Sequence, residues 1–291
     1  MGRLGKAILL LILLLSALIV FLDRLQVRRG ETSVFALLWP GRAWPRRLDS
    51  PSPPQAATAP RPATAPPTTP ADRPRLAVII DDLGGRSDVF ETLKAMDRPL
   101  TVAILPEHPP SAKIAGEAAR AGMEVILHLP LEPYHYPEVD PGPGALTMSM
   151  TAEEITALMR KHLAAFPVTG VSTHMGSRMT EDRKRMGWML EPVKERKLFF
   201  VDSLTSNQSV AWRVAQEMGI PTLRRHIFLD SELDEAIVRR QLQAAGSLAE
   251  RRGSAIAIGH ARPLTLRLTQ EMIPRWEARG IRLVKVSELL R

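Results

Sequence analysis

From Arg75 to Arg291, short apolar runs rich in β-branched residues alternate with amphipathic segments that open on capping residues. The apolar runs predict strands at Leu76–Ile80, Leu100–Leu105, Met123–Leu129, Gly170–Thr173, Leu198–Val201, Pro221–Arg224, Ser254–Ile258 and Ile281–Val286. The segments between them predict helices from Ser87 to about Met96, over Ser111–Ala121, from Thr151 to about Phe166, and over Glu181–Lys197, Ser209–Met218, Ser231–Arg251 and Leu264–Arg279. Thr151-Ala-Glu-Glu154 reads as a capping box, and a Pro/Gly-rich loop precedes it. Near-continuous apolar strands, each followed by a helix, mean a mostly parallel sheet covered by helices, an α/β fold. Seven or eight such units fit a distorted (β/α) barrel, closed or slightly open, better than a doubly wound sheet. Asp81-Asp82-Leu-Gly-Gly after the first strand lacks the spacing of a dinucleotide-binding glycine loop.

The first quarter of the chain reads differently. After a short basic N-terminus (1–6), Ala7 to Leu22 form an unbroken run of apolar or small residues. It is short for a membrane span of about 20 residues and slightly long for a signal-peptide core of about 7–15. The bulky Val20-Phe21-Leu22-Asp23 offers no small-x-small cleavage site, so the run reads as an uncleaved anchor ahead of a cleaved signal. Residues 23–49 form a juxtamembrane stretch, and 50–74 a spacer dominated by Pro, Ala and Thr with no apolar periodicity. Anchor, spacer, then a domain over 75–291 is the layout of an envelope protein held off a membrane, with the domain outside the cytoplasm.

Charge alters the partner assignment only when it is divided. The chain carries +8, but residues 1–75 hold 11 Lys/Arg against 4 Asp/Glu and the rest is nearly neutral. A nucleic-acid-binding domain needs its own basic face, so nucleic acid is set aside. With no cysteine there is no disulfide framework, thiolate zinc site or cysteine nucleophile.

In a (β/α) barrel the site is built at the carboxyl ends of the strands. Six predicted strands end in titratable side chains: Asp81-Asp82, His128, His174, Asp202, Arg225-His226 and His260. Each alone has a plain explanation, Asp202 as a turn cap for instance, but one fold brings all of them to one mouth. A carboxylate with two neutral imidazoles suits Zn²⁺ or another divalent transition metal. A second carboxylate can take a proton from water, and a histidine across the mouth can give one to a leaving group.

At these residues the chain resembles the polysaccharide deacetylase superfamily, and within it the divergent polysaccharide deacetylases, over about 76–291. Ile79-Ile80-Asp81-Asp82-Leu83-Gly84 resembles the opening Asp-Asp-Gly motif with one residue inserted. The resemblance implies a base at Asp81 and a metal ligand at Asp82. Gly122-Met-Glu124-Val-Ile-Leu-His128-Leu-Pro-Leu-Glu132 resembles the second motif, with Glu132 where a second histidine belongs. The third ligand is then His174, from Thr173-His174-Met-Gly176-Ser177-Arg178, or Glu132 itself. Arg178 takes the part of an arginine that orients Asp81. Phe200-Val201-Asp202-Ser203 resembles the fourth motif, and Ala257-Ile258-Gly259-His260 the fifth, which implies a general acid at His260.

The family implies metal-dependent removal of acetyl groups from an amino-sugar polymer of the envelope. Two other readings stand beside it: a glycan- or partner-binding protein on a degenerate site, and a metal hydrolase of another amide. Aromatic residues make up only 5% of the chain, which argues against a long polysaccharide cleft. The loop Glu132–Met150 carries Tyr134, His135 and Tyr136, candidates to cover the site and touch a sugar. Arg224-Arg225-His226 is a candidate for an anionic group, or a solvated strand end.

Overall fold

The computed structural model describes residues 73–85 and 89–290. The anchor, juxtamembrane and linker assignments, and the predicted helix start at Ser87, lie outside the described residues. Among the described residues no helix is long and apolar enough to cross a membrane.

Nine strands among the described residues, β1 (Arg75–Leu83), β2 (Thr101–Ile104), β3 (Glu124–Leu131), β4 (Gly170–Met175), β5 (Phe199–Asp202), β6 (Thr222–Arg224), β7 (Ile227–Phe228), β8 (Ser254–His260) and β9 (Arg282–Val284), form one parallel sheet. Their order is β6-β5-β4-β3-β2-β1-β8-β7, with β9 paired to the start of β1. Seven α-helices of the described residues, α1 (Phe90–Ala95), α2 (Ser111–Arg120), α3 (Ala152–Ala165), α4 (Arg183–Glu195), α5 (Ala211–Glu217), α6 (Glu235–Arg252) and α7 (Pro263–Ala278), lie between the strands in sequence. The capping box forms as predicted: Glu154 N donates to Thr151 Oγ1, and Thr151 N to Glu154 Oε2 at 2.8 Å. Helix α6 starts four residues later than predicted, at Glu235, because Asp234 is its cap and takes the Ile237 N–H at 3.0 Å.

The sheet is a curled, open barrel. Along β1, Leu76, Val78 and Ile80 join the large core shared with the helices. Ala77 and Ile79 instead meet Ala103, Ile126, Val201, Ile256 and Ile258 in a second core on the inner face. Alternation of side chains thus gives each strand a helix-facing and an inward-facing row. The predicted sixth strand has a second part: β6 pairs with β5, and only Arg225 and His226 later the chain pairs with β8 as β7. One extended run therefore switches partners. The Arg225 N–H bonds Asp202 O, and the His226 N–H bonds Ile256 O, each at 3.0 Å. No ladder joins β6 to β7, and the barrel is open at that seam.

The amino ends of β2 and β3 are plugged by the C-terminal 3₁₀ turn Val286–Leu290. Glu124 is buried there, accepting from Thr101 Oγ1 at 3.0 Å and Ser287 N at 3.1 Å, while Val286 N donates to Thr101 Oγ1 at 3.0 Å.

Candidate active site at the carboxyl ends of the strands

The inward rows end in polar residues at the mouth. Asp81 on β1, His128 on β3, His174 on β4 and His260 on β8 share the parity of the inner core. Asp82 has the opposite parity and would face the helices in a regular strand. The β1–β2 register shifts between Ile80 and Leu83, and Asp82 takes a left-handed φ of 67°. This bulge brings both carboxylates to the same His128 nitrogen. Gly84 (φ 101°) completes the turn, and a Cβ there would sit 2.9 Å from the Leu105 carbonyl oxygen. Met175, at the end of β4, and Leu204, two residues past β5, also have left-handed φ and line the cavity.

Asp82 Oδ1 lies 3.0 Å from His174 Nδ1 and 3.3 Å from His128 Nε2. Asp81 Oδ2 is 3.5 Å from the same His128 nitrogen. His128 Nδ1 is held by Ser172 Oγ at 2.8 Å, which aims Nε2 at the carboxylates. One ligand atom from each of Asp82, His128 and His174 lies within 4.8 Å of the others. Asp82 Oδ1 is buried and accepts no hydrogen bond despite these neighbours, as expected of donors that converge on a point between them. The set of one carboxylate and two imidazoles fits a divalent cation of borderline softness. Burial pushes the His128 pKa down to about 4, leaving a neutral imidazole able to ligate. Burial pushes Asp82 up, but the contacts with His128 and His174 outweigh it and hold the carboxyl well below its usual range.

Asp81 goes the other way. Burial first, then the charges of Asp82 and Asp230, raise its pKa well above the ordinary carboxylate value, with Arg225 opposing. Its Oδ1 is buried and has no hydrogen-bond partner. A carboxylate in that setting holds a proton more readily than an exposed one. Across the cavity, His260 Nδ1 is 2.9 Å from Asp230 Oδ1, which fixes the ring so that Nε2 faces the cavity. Asp230 is fully buried, and it also accepts from Thr265 Oγ1 at 2.6 Å and from the His260 N–H. The arrangement can bind a cation, accept a proton at Asp81 and donate one at His260 Nε2.

Sequence reasoning missed Asp230. It follows Ile227-Phe-Leu229, an apolar run too short to be read as a strand, and that run was the one available signal. The structure places four other candidate residues away from the cluster. Glu132 accepts from Arg178 Nη1 at 2.9 Å and Met148 N at 2.7 Å, and it lies outside the ligand group. Arg178 is therefore paired with Glu132, not Asp81; the arginine whose charge acts on Asp81 is Arg225. Asp202 has helix-facing parity, and its carboxylate accepts from Leu204 N (2.9 Å), Ser209 Oγ (2.7 Å) and Trp212 N (3.3 Å). It caps the turn into α5 instead of lining the cavity. Tyr134 is exposed, and its hydroxyl bonds Glu181 on the rim.

An inward-facing carboxylate–imidazole cluster at the mouth of a curled parallel sheet covered by helices lies where a (β/α) barrel places its chemistry. The chain belongs to the divergent polysaccharide deacetylase family, whose family model matches residues 78–290. It is 36% identical to the uncharacterized protein YibQ of Escherichia coli K12 over 217 residues, 74% of this chain and 67% of the relative. An uncharacterized protein of Haemophilus influenzae is also 36% identical, over 67% of this chain and 70% of the relative. The crystal structure of the uncharacterized protein ATU2773 from Agrobacterium tumefaciens superposes with a TM-score of 0.70 at 27% identity, covering 77% of this chain and 92% of that one.

Proposed function

We propose that this chain is a metal-dependent deacetylase acting on an acetylated amino-sugar polymer of the cell envelope. The observation that carries this reading is the convergence of Asp82, His128 and His174 on a point where a buried carboxylate oxygen lacks a hydrogen bond. Those three residues would hold the ion, with zinc the best match to the donor set. When bound, it would supply Lewis acidity toward the acyl oxygen and the attacking water.

The protein's own groups do the proton work. Asp81 takes the proton of the attacking water, a role suited to a buried carboxylate of raised pKa. Asp230 holds the His260 ring so that Nε2, facing the cavity, gives a proton to the departing amine or alkoxide. Asp81 and His260 are register partners, which puts base and acid side by side on the adjacent strands β1 and β8. The apolar run Ala7–Leu22 supports a site of action outside the cytoplasm, with the domain tethered or, if the run is cleaved, secreted.

Elemental analysis of the purified protein, with His128→Ala and His174→Ala beside it, tests the reading together with acetate release from acetylated amino-sugar oligomers. About one zinc or similar ion per chain, lost in both variants along with acetate release, is expected. Glycan binding with neither metal nor acetate release would make this a binding protein.

A further inference from the structure

The cavity that holds the Asp–His cluster is also lined from other strand ends. Arg225 and Ser203, like His260, line it from the end of their strands, together with Phe228. The Arg225 guanidinium is held by three contacts. Nε donates to Ser203 O at 2.6 Å, Nη2 donates to Leu204 O at 2.9 Å, and its Cζ lies 4.8 Å from the Phe228 ring centre. Nη1 makes no hydrogen bond among the described residues. Nor does any carboxylate reach the group. Arg178 and Arg185, also near the mouth, are each paired with an acid at 2.8–2.9 Å, whereas Arg225 has no ion pair within 4.0 Å among the described residues. Burial lowers its pKa, and the charges of Asp202 and Asp81 only partly offset this.

A half-buried cation without a counter-ion is costly to keep. Two carbonyl contacts alone do not require a charge, since a neutral donor would meet them. The Ser203 hydroxyl beside it is buried and also without a partner. A fixed fork with a free N–H next to an unused hydroxyl, in a cavity of about 240 Å³, is the equipment for an oxyanion group on a ligand. We infer that Arg225 and Ser203 form a carboxylate-recognising subsite, so that the acylated sugar taken by this cavity carries an anionic substituent. The inference rests on the deacetylase reading for the sugar, but not for the charge.

The probes are N-acetylmuramic acid and its methyl ester, which share ring and acetamide and differ in one negative charge. Calorimetric titration of the full chain, stripped of metal by chelation so that no ion captures the carboxylate, gives the affinity ratio. The acid is expected to bind roughly tenfold or more tightly than the ester. Arg225→Gln should bring the ratio close to one, Arg225→Lys should retain part of it, and Ser203→Ala should reduce it. A wild-type ratio near one overturns the inference, and so does a ratio that survives Arg225→Gln. If that variant does not fold, the wild-type ratio and Ser203→Ala decide. Acetate release with no charge preference removes this inference alone, whereas charge preference with no hydrolysis removes the deacetylase reading alone.

Discussion

The two ends of this barrel each bury a carboxylate on the inner face, and they treat it in opposite ways. At the plugged end, Glu124 is 5% exposed, and the Thr101 hydroxyl and the Ser287 N–H both donate to it. At the mouth, Asp81 is 3% exposed, one of its oxygens has no partner, and its nearest charged neighbour in the chain is another aspartate. Satisfied polar groups at one end hold the C-terminus against the sheet. Frustrated ones at the other leave binding capacity unused by the fold itself. In (β/α) barrels this division of stability from chemistry follows strand direction.

Three substitutions sharpen that contrast. The largest effect belongs to Asp81→Asn, which should lower acetate release by about 10²–10⁴-fold, as loss of a general base does. Its melting temperature should be unchanged or higher, since a buried like-charge contact with Asp82 is relieved. A fall in stability without a fall in rate would place Asp81 with the structural residues. Glu124→Ala should do the reverse. It strands the Thr101 hydroxyl and the Ser287 N–H, costs about 2 kcal/mol and lowers Tm by several degrees in thermal unfolding, with kcat nearly unaffected. The smallest effect is on pH dependence. Asp81 must be ionised to act as base, and its pKa is raised, so activity should climb with pH through a limb above the usual carboxylate range. Arg225 opposes that rise, so Arg225→Gln should move the limb to higher pH, by less than about one unit. A downward shift in the pH–rate profile would contradict the assignment.

Much of the fold was legible because strand and helix periods differ and the chain keeps them separate. Every predicted strand from Leu76 to Val286 has a counterpart in the sheet. The one strand of the sheet with no predicted counterpart is β7, two residues long and separated from β6 by Arg225 and His226 with no turn signal between. The inward placement of Asp81, His128, His174 and His260 was readable from strand ends. Parity would have separated Asp202 from them, because it shares the row of Phe200, which packs on the helices. Two features were beyond alternation. The bulge that recruits Asp82 depends on a left-handed residue that no glycine announces. The pairing of Glu132 with Arg178 depends on a contact across 46 positions of sequence.

The same bulge constrains how this gene can change length. Because strand side chains alternate with a period of two, losing one residue between Ile80 and Gly84 would exchange the faces of everything beyond the deletion. Asp81 and Asp82 would then trade faces, or one would be stranded among the helices. A substitution along β1 changes one side chain, whereas a change of length at its end re-aims both carboxylates at once, so the residue that lengthens this stretch relative to Asp-Asp-Gly acts as a spacer for the whole pair.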